Sequence, residues 1–184
     1  MLLIYLFECT GHSTHIDPAC FHPGKGVLAG QGDPNPMNKV DLAFQRLKIG
    51  YSCSQSVFTV FAVDLGLDPE VSLKVSSAFG GGIAGMGRTC GAVIGGLMAL
   101  GLKYGSTDAS EDHEEKEINK YAGEYLDRIK SKNGAITCRE ILGVNVGIPD
   151  ELNKAKEEGL FEKKCPPFIK LAIEIADDIM SGKK

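Results

Sequence analysis

The residues of this chain best suited to chemistry are its six cysteines, at positions 9, 20, 53, 90, 138 and 165 of 184. The last four share a local context. Ser52-Cys53-Ser54-Gln55 is a Ser-x-x-Gln capping box, which sets Cys53 at a first helical position. Thr89 is a capping residue ahead of Cys90. Thr137-Cys138-Arg139-Glu140 is a Thr-x-x-Glu box with Cys138 first in its helix. Cys165 directly precedes Pro166-Pro167, and proline favours a first helical turn. All four are therefore expected at helix N-termini.

That placement has a chemical use. A helix N-terminus carries free backbone N–H groups and the positive end of the macrodipole. Both favour a thiolate, so the expectation is a lowered thiol pKa and a better metal ligand or redox group. Four such termini aimed at one point would hold four thiolates. Their amides would also bond the sulfurs of an iron–sulfur cluster and tune its potential. The bland alternative is that cysteine is a small, inert core residue. It suits one cysteine at a helix start better than four of four. Spacings of 37, 48 and 27 residues include no Cys-x-x-Cys. They leave open a four-ligand site, two dithiol pairs, or one pair with two inert thiols.

The glycines around Cys90 bear on the same question. Gly80-x-Gly82-x-x-Gly85 matches the dinucleotide fingerprint in letters only, because LKVSSAF before it reads as a helix end and not as a strand. Close backbone approach is the better reading. Gly91, Gly95 and Gly96 fall at helical spacing and would let a neighbouring helix pack tightly. Arg88, two residues before Cys90, is a candidate to steady a thiolate or an anionic cluster, with an exposed loop arginine as the equal alternative. His113 lies in the acidic run DASEDHEEKE, where a catalytic role is not expected.

The elements that must position these residues read as helices throughout from Met37. Val40, Ala43, Phe44 and Leu47 mark a first helix ended by Gly50. Helices follow over 54–65, 69–77, 90–103, up to about 132, then near 138–142 and 149–158, with a last amphipathic one from Pro166 to about Met180. Residues 80–87 form a loop. CGAVIGGLMALGL is apolar all round and is expected to be the central buried helix. The fold class is all-α, a compact bundle around this Gly-rich helix.

Residues 1–36 differ. They hold Cys9, Cys20, His12, His15, His22 and four of the eight prolines, with no sustained period. Their cysteines and histidines suit a metal, but not in a recognised spacing. The expectation is a leader or poorly ordered extension, with native translation starting at Met37 as a further reading. MLLIYLF lacks a positive flank and meets Glu8 too soon for a signal peptide. Residues 37–184 form the four-cysteine domain. No apolar run reaches a membrane span, and a net charge of -4 without a basic block gives no reason to expect nucleic acid. The expected location is the cytoplasm, where structural disulfides are rare and cysteines serve metal or redox chemistry.

Several stretches carry a family resemblance. Gly50-Tyr51-Ser52-Cys53-Ser54-Gln55-Ser56-Val57, Phe79-Gly80-Gly81-Gly82, Thr89-Cys90-Gly91-Ala92-Val93-Ile94-Gly95-Gly96, Gly101-Leu102-Lys103-Tyr104-Gly105, Cys138-Arg139-Glu140-Ile141-Leu142-Gly143 and finally Cys165 resemble the C_GCAxxG_C_C family of redox-active proteins. The resemblance runs from about Met37 to Met180. The family label reads Gly-Cys-Ala, whereas Cys90 is followed by Gly91-Ala92. The resemblance implies a small helical domain whose functional residues are Cys53, Cys90, Cys138 and Cys165. Through kinship with the iron–sulfur part of split-Soret cytochrome c, it implies a cysteine-ligated [2Fe–2S] cluster. Without Cys-x-x-Cys-His, covalent haem is not expected.

Three functions follow. The leading one is electron transfer through an iron–sulfur cluster on these four cysteines, with an unidentified redox partner and a homodimer as the expected assembly. The second is a metal-free thiol–disulfide or peroxide-handling protein using a cysteine pair. The third is a structural zinc module that binds a partner.

Overall fold

A computed structural model describes residues 37–108, 110 and 117–183, all within the unit Gly32–Lys184. The expectations for Cys9, Cys20 and the N-terminal histidines, for the late start and for His113 lie outside the described residues. Among the described residues there are eight α-helices and no strand: α1 Lys39–Lys48, α2 Cys53–Ala62, α3 Pro69–Ser76, α4 Gly91–Tyr104, α5 Glu117–Asn133, α6 Cys138–Leu142, α7 Pro149–Glu157 and α8 Leu160–Met180. The expected all-α class is the fold. No described helix is long and apolar enough to cross a membrane.

Local signals set most of the boundaries. The Asn38 side chain accepts from the Asp41 amide to open α1. Both capping boxes read from the sequence are formed, Ser52 with Gln55 at α2 and Thr137 with Glu140 at α6. Asp68 caps α3 ahead of Pro69. Gly143, at φ 78°, ends α6 in the left-handed conformation.

Helix α4 is the hub, packed against α2, α5 and α8. Ala92, Val93, Ala99 and Leu100 are fully buried on it. Its approach to α2 depends on two glycines. A Cβ on Gly91 would lie 2.8 Å from the Phe79 carbonyl oxygen and 3.1 Å from the Ser54 nitrogen. A Cβ on Gly95 would lie 2.9 Å from the Ser54 oxygen and 2.9 Å from the Val57 Cβ. The small face does what its spacing suggested: the two backbones nearly touch. A second link ties α2 to α3, where Ser54 Oγ donates to the Ser76 carbonyl at 2.8 Å and Gln55 Nε2 to that of Leu73 at 3.1 Å.

The buried apolar residues form two clusters. The larger spans α1, α2, α4, α5 and α8 and includes Cys90. The smaller joins Cys138, Leu142, Val146 and Ala155. Cys165 packs against both, so the junction of the two clusters is lined with sulfur.

Two helix starts differ from expectation. Cys90 is itself the N-cap of α4 and Thr89 is not, because residues 88–90 run extended against 136–138. Helix α8 begins at Leu160 after a left-handed Gly159, six residues before Pro166. A proline within a helix removes its own N–H bond to the carbonyl four residues back. Here those carbonyls belong to Glu162 and Lys163, both exposed residues on the solvent side of the helix.

Candidate functional site

Three cysteines reach the site from helix starts and one from within a helix. Cys53 is the first residue of α2, Cys90 the N-cap of α4 and Cys138 the first residue of α6. Cys165 sits in the second turn of α8. Four helix N-termini were expected; the structure supplies three, with the fourth thiol entering from the side. All four line one cavity of about 140 Å³, whose apolar walls include Leu47, Leu142, Phe161 and Phe168.

A short pairing brings Cys90 and Cys138 together across 48 residues of sequence. Thr89 and Thr137 form an isolated antiparallel bridge. The Cys90 amide donates to the Ile136 carbonyl at 2.9 Å, and the Cys138 amide to that of Arg88 at 2.7 Å. Bridged Thr89 and Thr137 point one way, so their neighbours Cys90 and Cys138 share the opposite face. The glycine loop completes the wall. A Cβ on Gly82 would meet the Arg88 nitrogen at 2.6 Å and the Cys138 Cβ at 2.7 Å. Arg88 shapes the site through its backbone; its side chain is exposed.

All four thiols are free, and their acidities are far apart. Cys165 donates its thiol proton toward the Cys53 sulfur. Together with the Cys53 and Gly81 amides, this holds Cys53 below the ordinary thiol value despite burial. Cys165 is raised, first by that same bond and then by burial and the charges of the other three. Burial pushes Cys90 up to about 12, with charge on Cys53 adding and the Ala92 and Val93 amides offsetting part. Cys138 rises to about 11 through burial and charge on Cys53. A lowered pKa was expected at every helix start; it holds at Cys53 alone. Desolvation of a buried anion outweighs the few amides of a helix end. Tyr125, fully buried behind α4, is raised by burial and by charge on Cys90.

Cys90 and Cys138 are buried and Cys53 and Cys165 half-buried, and because their thiolates would repel one another the set ionises fully only when a cation enters, since metal ligands must lose their protons. In type and number the donors suit a cluster, where two irons share four cysteines. A lone zinc instead needs all its thiolates about 2.3 Å from one point. Among the described residues no group of three His, Cys, Asp or Glu side chains is placed to hold a metal ion of either kind. Sequence reasoning found the four sulfurs but missed the Thr89–Thr137 bridge, the Gly81 amide and the aromatic walls Phe161 and Phe168. No local signal in the sequence pointed to any of these, since each depends on residues far apart in the chain.

An all-α fold that gathers four thiols in one buried pocket defines a cysteine-centred protein. More narrowly, residues 51–179 match the family described as "Putative redox-active protein (C_GCAxxG_C_C)". The match covers well over half of the chain, and the chain belongs to that family. No curated protein and no solved structure matches it.

Proposed function

We propose that the four-cysteine pocket is the redox centre of this protein, and that Cys53, Cys90, Cys138 and Cys165 hold a [2Fe–2S] cluster that carries electrons. The observation that supports this reading is the shared cavity: four thiols from four separate helices line one buried space. When bound, the cluster would supply one-electron chemistry. The chain's part is to deliver four thiolates, direct the Gly81, Ala92 and Val93 amides toward the sulfurs of Cys53 and Cys90, and surround them with the apolar side chains of Leu47, Phe161 and Phe168. Amide bonds to sulfur and low solvent exposure both set a cluster's potential.

One observation favours a second reading. The Cys165 thiol faces the Cys53 sulfur in the same cavity, with Cys53 held low and Cys165 raised, which is the arrangement of a dithiol in which Cys53 attacks. Anaerobic purification separates the two. Under the first, the protein is brown and contains iron and acid-labile sulfide, and Cys138→Ser loses the visible absorbance. Full retention of the spectrum by Cys138→Ser counts against Cys138 as a ligand. A colourless, metal-free protein with a reversible Cys53–Cys165 disulfide supports the second. A colourless protein with stoichiometric zinc refutes both.

A further inference from the structure

The four sulfurs differ in their access to water. Cys90 is 6% exposed and Cys138 7%, while Cys53 and Cys165 are half-buried. The solvent side of the pocket is therefore its Cys53–Cys165 edge, where a reagent meets these two thiols first. Access is one of the factors that set the rate of thiol–disulfide exchange. The two thiols also face one another, with that of Cys165 directed at the Cys53 sulfur where α2 packs on α8.

The other two thiols are held apart by the same bridge that delivers them to the pocket. Thr89 pairs with Thr137, so Cys90 stands opposite Ile136 and Cys138 opposite Arg88. The amide bonds from Cys90 to Ile136, 2.9 Å, and from Cys138 to Arg88, 2.7 Å, fix this offset. Cys90 and Cys138 are thus diagonal neighbours, and diagonal positions on an antiparallel pair lie about 7–8 Å apart. A disulfide usually joins Cα atoms about 4.4–6.8 Å apart. Gly82 adds a second restraint, since it lies directly against Cys138. A bond between Cys90 and Cys138 would have to break into the bridge. The Cys53 and Cys165 sulfurs already meet.

Oxidation of that one pair would change what the pocket can hold. A [2Fe–2S] cluster is anchored by four cysteines, and the thiolate is the form of cysteine that binds metal. A Cys53–Cys165 disulfide removes half of the ligands, leaves Cys90 and Cys138 reduced behind it, and spans the edge that iron and sulfide must pass.

We propose that Cys53 and Cys165 form a disulfide latch that regulates the pocket: a low-molecular-weight disulfide closes it, the closed pocket refuses the cluster, and a dithiol reductant reopens it. The proposal rests on the cluster reading of the same four cysteines. It differs from the dithiol reading because the disulfide is here a state of the empty cluster protein and not its catalytic reaction. In closure, the Cys53 sulfur attacks the small disulfide, whose S–S bond breaks; one small thiol leaves and a mixed disulfide forms on Cys53. The Cys165 sulfur then attacks Cys53 and expels the second small thiol. The two cysteine protons end on the two released thiols. The pair loses two electrons and the small disulfide gains them.

The test uses the full chain, reduced, freed of metal and desalted under anaerobic conditions, with oxidised glutathione as the probe. Mass spectrometry of a non-reducing digest is expected to find Cys53 joined to Cys165, with Cys90 and Cys138 recovered as free thiols. Iron(II) and sulfide are then added without reductant. The visible absorbance is expected to be lower than that of the reduced protein by about tenfold or more, because two ligands cannot anchor the cluster, and dithiothreitol should restore it. Cys165→Ser should retain one glutathione on Cys53, since the second attack is lost. Far-UV circular dichroism should be the same before and after oxidation.

A bond between any other pair of the four, Cys53–Cys90 included, overturns the latch. So does full cluster loading of the closed protein, or a loss of helix on oxidation, which would make the block a consequence of unfolding. In each of these cases a cluster in the reduced protein leaves the reading beneath the proposal standing. Absence of a cluster from the reduced protein, with Cys53–Cys165 closing normally, refutes that reading instead and leaves the pair as a simple dithiol.

Discussion

Gly95→Ala sets helix propensity against packing, and the structure decides the sign. In the interior of α4, alanine should be favoured over glycine by roughly 0.5–1 kcal/mol. The added Cβ, however, would stand 2.9 Å from the Ser54 oxygen, 2.9 Å from the Val57 Cβ and 3.0 Å from the Phe58 nitrogen. Two of these atoms are backbone of α2, which cannot swing aside as a flexible side chain can. Overpacking costs about 1–3 kcal/mol, and contact with two rigid backbone atoms puts Gly95→Ala in the upper part of that range, about 2–3 kcal/mol, so the net is a loss of about 1–2.5 kcal/mol. For a domain of this size each kcal/mol is about 2–4 °C in Tm, which gives a fall of about 2–10 °C. Gly101→Ala is the internal control, because its Cβ would meet nothing within 4 Å on the same helix. It should be stabilising by about 0.5–1 kcal/mol. The assay is thermal and urea unfolding of the reduced, metal-free protein followed at 222 nm. A Gly95→Ala protein as stable as wild type would refute the close α2–α4 approach. Equal destabilisation by both substitutions would refute the reasoning that separates them.

Three further outcomes are expected. Arg46 is buried with its Nε unpaired, its pKa lowered by burial, and Nη1 bonded to Thr59 Oγ1 at 2.6 Å. Thr59→Val should therefore cost about 1–3 kcal/mol by stranding the guanidinium, whereas Arg46→Met should leave urea stability unchanged or raised. Gly82→Ala combines φ 76° with a Cβ 2.7 Å from that of Cys138; it should lower Tm and speed alkylation of Cys138, read by mass spectrometry. Cys90 and Cys138 are raised from 9.0 to about 12 and about 11. Raised thiols bind protons more tightly in the folded state. Their contribution to stability is therefore fully present below pH 9 and is lost as pH rises through the folded values. The Tm of metal-free protein should fall across this window, and less so in Cys90→Ala; an identical pH dependence in Cys90→Ala would contradict the shift.

By itself the sequence determined what depends on residues three or four apart. The Ser52–Gln55 and Thr137–Glu140 boxes, the end of α1 before Gly50, the Gly91–Gly95 face and the burial of α4 are all written in neighbouring letters. So are the identities of the four cysteines, each beside a local helix signal. Tertiary structure decided what depends on distant neighbours. Nothing near Thr89 in the chain announces a pairing with Thr137, yet that bridge makes Cys90 the cap and sets it beside Cys138. The prolines after Cys165 suggested a helix start, but a proline forbids only its own N–H bond, and exposed carbonyls at 162 and 163 tolerate the loss. The lowered thiol pKa read from helix ends survived only at Cys53, whose thiolate is favoured by the facing Cys165 thiol and by two backbone amides. A helix terminus is a local field of a few amides; desolvation is a property of the whole enclosing pocket, and here the pocket is stronger.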